Sequence, residues 1–147
     1  MRVLGLDPSL RATGWIVIET EDLRALGWGV IKTKGDLAES LRGIRDGIVK
    51  IVKDFSPEIA VMESVIYHRN AKVAITLGAV RGVILLTLGD MKVKVMEIQP
   101  SKAKMGITRY GMASKEQVAR ILRSLFSLPE VEDHVTDALA AAYYLVR

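Results

Sequence analysis

The spacing of apolar positions changes repeatedly along this chain, and each change marks an element. Arg2–Asp7, Gly14–Glu19 and Trp28–Lys34 are short apolar runs separated by turn residues, which predicts three strands in an antiparallel meander. The stretch "GDLAESLRGIRDGIVKIVKDFSP" then takes helical spacing: Leu37, Leu41, Ile44, Ile48 and Ile51 fall on one stripe. Asp36 with Glu39 forms a capping box, and Pro57 ends the helix. "EIAVMES" reads as a short buried strand. Asn70 caps a helix running to about Leu88, with Leu77, Val80, Ile84 and Leu88 on one face. "KVKVMEI" is a further strand. Gln99 to about Ile107 is expected to be a short helix, and "TRYGMAS" a basic turn. Ser114 and Gln117 box the start of a helix carrying Val118, Ile121, Leu122 and Leu125, and a last helix spans about His134 to Val146. This order predicts an α/β domain over residues 1–147, with a mixed five-stranded sheet flanked by helices. The β-α-β connection sets the "EIAVMES" strand beside the first one.

Composition narrows the chemistry. The chain has no cysteine, which removes disulfides and thiolate catalysis and suits the cytoplasm, where it is expected to act. No leader for export is expected, and charges interrupt each stretch that would otherwise span a membrane. The net charge is +4, but residues 64–129 hold eleven Lys or Arg against three acids. The first 63 residues hold nine bases and ten acids, and the last 18 hold one base and four acids. A basic middle between acidic ends suits a polyanion such as nucleic acid, although a lysine-rich solvated surface gives the same count.

Two predicted core strands end on carboxylates, Asp7 and Glu63, and strand ends are where α/β sheets place ligands. Asp137 falls on the first turn of the last helix, with His134 three residues before it on the same face. Three carboxylates gathered at one sheet edge repel one another unless cations sit among them. Magnesium fits, since it takes oxygen ligands and keeps waters for chemistry. Each residue also has a plainer explanation. Asp7 can cap the turn formed with Pro8, and Glu63 can pair with an arginine. Asp133 and Asp137 can serve the helix N-terminus, and His134 can be structural.

Four stretches together are more specific. "GLDPSLRATGWIVI", "VMESVIYHRNAKVAITLGAVRGV", "SKAKMGITRYGMASKEQVARIL" and "DHVTDALAAAYY" resemble, in order and spacing, the motifs of RuvC-type Holliday junction resolvases. The resemblance spans Met1 to Tyr144 and implies a ribonuclease H-like fold. It also implies magnesium-dependent endonuclease cutting of four-way DNA junctions in recombination and repair. The cuts would be paired and symmetric, with two ions per site and manganese as a substitute. It implies a homodimer and a branch-migration motor as a further partner. The helix from Ala71 to Leu88, whose small and aliphatic residues exceed one core face, is the expected dimer contact, a wholly buried helix in a monomer being the alternative.

Carried over by position, the family's metal-binding and catalytic residues fall on Asp7, Glu63, His134 and Asp137, with Asp133 as the helix cap. Its DNA-contacting lysines fall on Lys104 and Lys115. Arg69, Lys72, Lys102 and Arg109 extend that basic stretch as candidate phosphate contacts. Two details depart from the family. Asp-Pro-Ser stands where Asp-Pro-Gly is common, and Ile66 stands where an aromatic is frequent. Tyr67 beside it is the candidate for stacking at the junction.

Overall fold

A computed structural model describes residues 1–64, 70–99 and 114–146. Tyr67, Arg69, Lys102, Lys104 and Arg109 lie outside the described residues, as do Ile66, the basic turn up to its last residue, and nearly all of the short helix expected from Gln99 to Ile107. The elements are β1 (Arg2–Asp7), β2 (Ala12–Glu19), β3 (Arg24–Lys32), α1 (Leu37–Phe55), β4 (Ile59–Glu63), α2 (Ala71–Asp90), β5 (Lys94–Ile98), α3 (Lys115–Leu125) and α4 (Asp133–Tyr143). The strands form one sheet in the order β3-β2-β1-β4-β5. The first three make the expected antiparallel meander, while β4 and β5 add in parallel. The β1–β4 pairing runs from Val3–Ile59 to Leu6–Met62. The next residues along are Asp7 and Glu63, so the expected neighbourhood of the two carboxylate strands is met.

Alternation along the strands divides the core in two. Leu4, Leu6, Val17, Ala60 and Met62 pack with α1 and α2 on one face. Val3, Ile16, Ile18, Val61 and Ile98 pack with α3 and α4 on the other. Asp7 shares the parity of Val3, and Glu63 that of Val61. Both carboxylates therefore belong to the face covered by α3 and α4.

The helix caps match the sequence reading closely. Asp36 accepts the Glu39 backbone N–H at 2.8 Å, one arm of the expected box without the return bond from Glu39, Asn70 accepts those of Lys72 and Val73, and Ser114 with Gln117 completes a capping box. Three expectations need correction. β3 begins at Arg24 rather than Trp28, because Leu23 makes the turn with φ 51° and the small residues Ala25 and Gly27 carry little strand signal. Leu37 is 50% exposed at the first turn of α1, and Ser40 is buried on the packed side. The N-cap of α4 is Glu132, without a side-chain hydrogen bond, and Asp133 is the first helical residue rather than the cap.

The membrane reading changes as well, since the 20 residues of α2 are long and apolar enough to span a bilayer by length and composition. The helix instead lies on the sheet through Val80, Ile84, Thr87 and Leu88, and Arg81 pairs with Glu97 of β5 at 2.8 Å.

α4 sits unusually close to the sheet because both surfaces are small. It buries Ala138, Ala140, Ala141 and Ala142 over a strand pair that presents Gly5 and Gly14. A Cβ at Gly5 would run into the Ala138 carbonyl, and one at Gly14 into the backbone and Cβ of His134. Neither neighbour can yield, since both belong to the helix backbone. Gly5→Ala should therefore cost about 1–3 kcal/mol or more, whereas Gly89→Ala, which meets nothing within 4 Å, should gain up to about 1 kcal/mol of helix propensity. Urea denaturation of the two variants against the parent protein checks the opposite signs.

Candidate active site

The close seat of α4 carries His134 and Asp137 to the end of β1. His134 Nδ1 lies 3.0 Å from Asp7 Oδ2. Asp137 is one helical turn further on, and its Oδ2 lies 2.9 Å from the Lys115 ammonium at the start of α3. Glu63 enters from β4. It lines a cavity of about 40 Å³ with Asp137, Lys115 and Thr136, room for a water-sized guest. All four predicted residues are thus gathered at one edge of the sheet, from two strands and one helix.

The turn after Asp7 shows what Asp7 is not for. Thr13 closes that turn, donating its hydroxyl to the Ser9 carbonyl and accepting the Ser9 N–H. Arg11 ties it to Ser40 of α1 at 2.7 Å. The carboxylate of Asp7 makes its hydrogen bond to His134 instead.

Burial raises the pKa of Asp7 above the ordinary carboxylate value. The His134 hydrogen bond opposes this, Asp137 adds to it by repulsion, and Lys115 counters it from further away. Lys115 is held more firmly protonated than an ordinary lysine, chiefly by its hydrogen bond to Asp137. The site therefore sets Asp7 beside a second carboxylate, with the Lys115 ammonium against that second one and the His134 ring hydrogen-bonded to Asp7.

Among the described residues, no group of three or more His, Asp or Glu is arranged to hold a metal ion. The donor chemistry nevertheless fits a hard cation. Asp7 lies beside both His134 and Asp137, its ionised form is destabilised by burial and by that second carboxylate, and Glu63 lines a small cavity with Asp137. Lys115, which also lines that cavity, supplies positive charge beside Asp137.

Of the remaining candidates, Lys72 is exposed at the first turn of α2, lining an open cleft with Ser9 and Leu10 beside the turn that follows Asp7. Sequence reasoning treated Lys115 only as a contact for DNA and missed its seat on Asp137. It also missed Gly5 and Gly14, although a glycine inside a strand marks close backbone approach and was the available signal.

The buried charge has a consequence for stability. Asp7→Asn keeps an acceptor for His134 and removes the charge whose burial is unfavourable. Folded protein lacking metal holds the Asp7 proton more tightly than the unfolded chain, so its stability falls as pH rises from the ordinary carboxylate value to the raised one. Asp7→Asn lacks this fall. In chelator it should melt higher than the parent at neutral pH, by about 2–4 °C for each kcal/mol relieved. The difference should vanish as pH falls below the carboxylate range, and calorimetry across pH checks both parts.

Comparison with known proteins gives a consistent result. The model for the family "Crossover junction endodeoxyribonuclease RuvC" matches residues 3–144. A protein of that name from Caldicellulosiruptor saccharolyticus is 36% identical, covering 97% of this chain and 90% of its own. Another from Paramagnetospirillum magneticum is 38% identical, over 97% and 89%. The structure of Thermus thermophilus RuvC in complex with Holliday junction substrate superposes with a TM-score of 0.92 at 28% identity, covering 98% of this chain and 92% of the other. The yeast mitochondrial Holliday junction resolvase Ydc2, 14% identical with a TM-score of 0.67 over 99% and 77%, shares the fold alone. The expected ribonuclease H-like fold is met. With the family model matched nearly end to end and the relatives aligned across the same span, the chain belongs to the crossover junction endodeoxyribonuclease RuvC family.

Proposed function

We propose that this protein resolves four-way DNA junctions by paired, symmetric hydrolysis of phosphodiester bonds, as a cytoplasmic homodimer with one site in the single domain of each protomer. The observation that carries the reading is the convergence of Asp7, Glu63, Asp137 and His134 at one sheet edge. It occurs in a chain whose relatives are named for junction cleavage and whose structural neighbour was solved with Holliday junction substrate.

Asp7, Glu63 and Asp137, with His134, would hold two magnesium ions, for which manganese can stand in. Bound there, the ions supply a water activated for attack and neutralisation at the leaving oxygen. The chain's own groups do the rest. When Asp7 is ionised, His134 donates its Nδ1–H to it. That bond fixes the ring and leaves the Nε2 lone pair as the atom with which His134 would hold a metal ion, directly or through water. Lys115 and Lys72 flank the carboxylates and hold backbone phosphates without reading sequence. Lys102, Lys104, Arg69 and Arg109 extend that path, and Tyr67 stacks at the branch. A branch-migration motor would deliver the junction.

Paired cuts need two sites related by a two-fold axis, and α2 offers the surface. Ile75, Ala79, Gly82 and Leu86 recur along the face opposite Val80 and Ile84. Ile75 is 75% exposed and Leu86 66%, while Gly82 meets nothing within 4 Å. Such a stripe suits the same helix of a second copy.

A gel with synthetic mobile four-way junctions, hybrid and duplex competitors, and magnesium or chelator tests the activity. Junction-selective, metal-dependent, paired nicking is expected, and equal cutting of the competitors would contradict it. Asp7→Asn should lose cleavage by more than about a hundredfold yet retain junction binding. Near-parental cleavage would remove Asp7 from the metal site. Ile75→Asp with Leu86→Asp should convert the protein to a monomer in light scattering and replace paired cuts with single nicks.

A further inference from the structure

Lys115 stands between two cavities. On one side is the small cavity of Glu63 and Asp137, where its ammonium lies 2.9 Å from Asp137 Oδ2. On the other is an open groove of about 410 Å³ along α3, lined by Lys115, Glu116, Ala119, Arg120, Arg123 and Asp133. Neither Arg120 nor Arg123 makes an ion pair or side-chain hydrogen bond with another described residue. While Lys115 rests on Asp137, the groove's remaining charges cancel, Arg120 and Arg123 against Glu116 and Asp133. Turned outward, Lys115 makes the groove net cationic. The same movement strips Asp137 of its counter-charge and leaves it open to a metal ion.

On the reading of the site as a metal-dependent junction nuclease, we infer that Lys115 is an exchangeable counter-ion: it rests on Asp137 until metal takes its place or a phosphate draws it outward, and with Arg120 and Arg123 it then forms a seat for backbone phosphates of the DNA along α3. From Lys115 to Arg123 the helix rises about 12 Å, three to four nucleotide steps at about 3.4 Å of rise per strand. The groove therefore matches a strand running outward from the carboxylates. Because one side chain serves both cavities, metal loading and DNA binding assist each other, and by linkage the assistance is mutual.

Two measurements test this. The first is the affinity for Mn²⁺ without DNA, by calorimetric titration of the parent and of Lys115→Met. Removing the competing ammonium should tighten Mn²⁺ binding at least about fivefold. The second is the salt dependence of junction binding in chelator. Arg120→Gln with Arg123→Gln should flatten the slope of log affinity against log salt by about 1.8, or about 0.9 for each phosphate no longer neutralised, and the Arg→Lys pair should restore it. Equal or weaker Mn²⁺ binding by Lys115→Met overturns the exchange, and an unchanged salt slope overturns the groove. Should neither parent nor variant bind Mn²⁺, the metal site itself falls and the inference with it. If Lys115→Met fails to fold, Lys115→Gln serves in the same titration.

Discussion

The close approach of α4 to the β1–β2 hairpin is the constraint on which the rest of the site depends. A helix normally stands off a sheet by the length of its side chains. Here Gly5 and Gly14 have none, and the facing helix offers Ala138 and Ala142. The result places His134 within hydrogen-bond reach of Asp7 at 3.0 Å. Added bulk at either glycine would lift the helix and separate these groups. Packing and function are therefore joined at the same residues, and the stability of the α4 face cannot be altered independently of the chemistry at its end.

Charge is the second consideration. Asp7 is held mostly out of water beside another carboxylate, which destabilises its ionised form. A protein built for stability alone would place an amide or an apolar residue there. Among the described residues a lysine ammonium lies against Asp137 and an imidazole is hydrogen-bonded to Asp7. Such partial compensation suits a site that receives a divalent cation. It also leaves the site in a state that a stronger cation improves.

Much of the fold is legible in the amino-acid sequence. Strand ends at Asp7 and Glu63, and the caps at Asp36, Asn70 and Ser114, are local signals, and the structure meets each of them. What escapes depends on partners distant in sequence. The early start of β3 runs through small residues that become a strand because Phe55 covers Gly27 and Trp15 approaches Gly29. The apolar residues of α2 exceed one core face, and the sequence marks that surplus, while the outward placement of Ile75 and Leu86 in particular is set by how the helix lies on the sheet. At the site, the four acid and imidazole positions are legible from strand ends and motif spacing. The Lys115–Asp137 contact is not, since it joins two helices whose mutual orientation is set by the sheet.

Crystals soaked in manganese, with data collected at its absorption edge, test the central claim most directly. The account predicts anomalous density bounded by Asp7, Glu63 and Asp137, with the Lys115 ammonium withdrawn beyond hydrogen-bond distance of Asp137. An intact Lys115–Asp137 pair at saturating manganese, with no density among the three carboxylates, would contradict it.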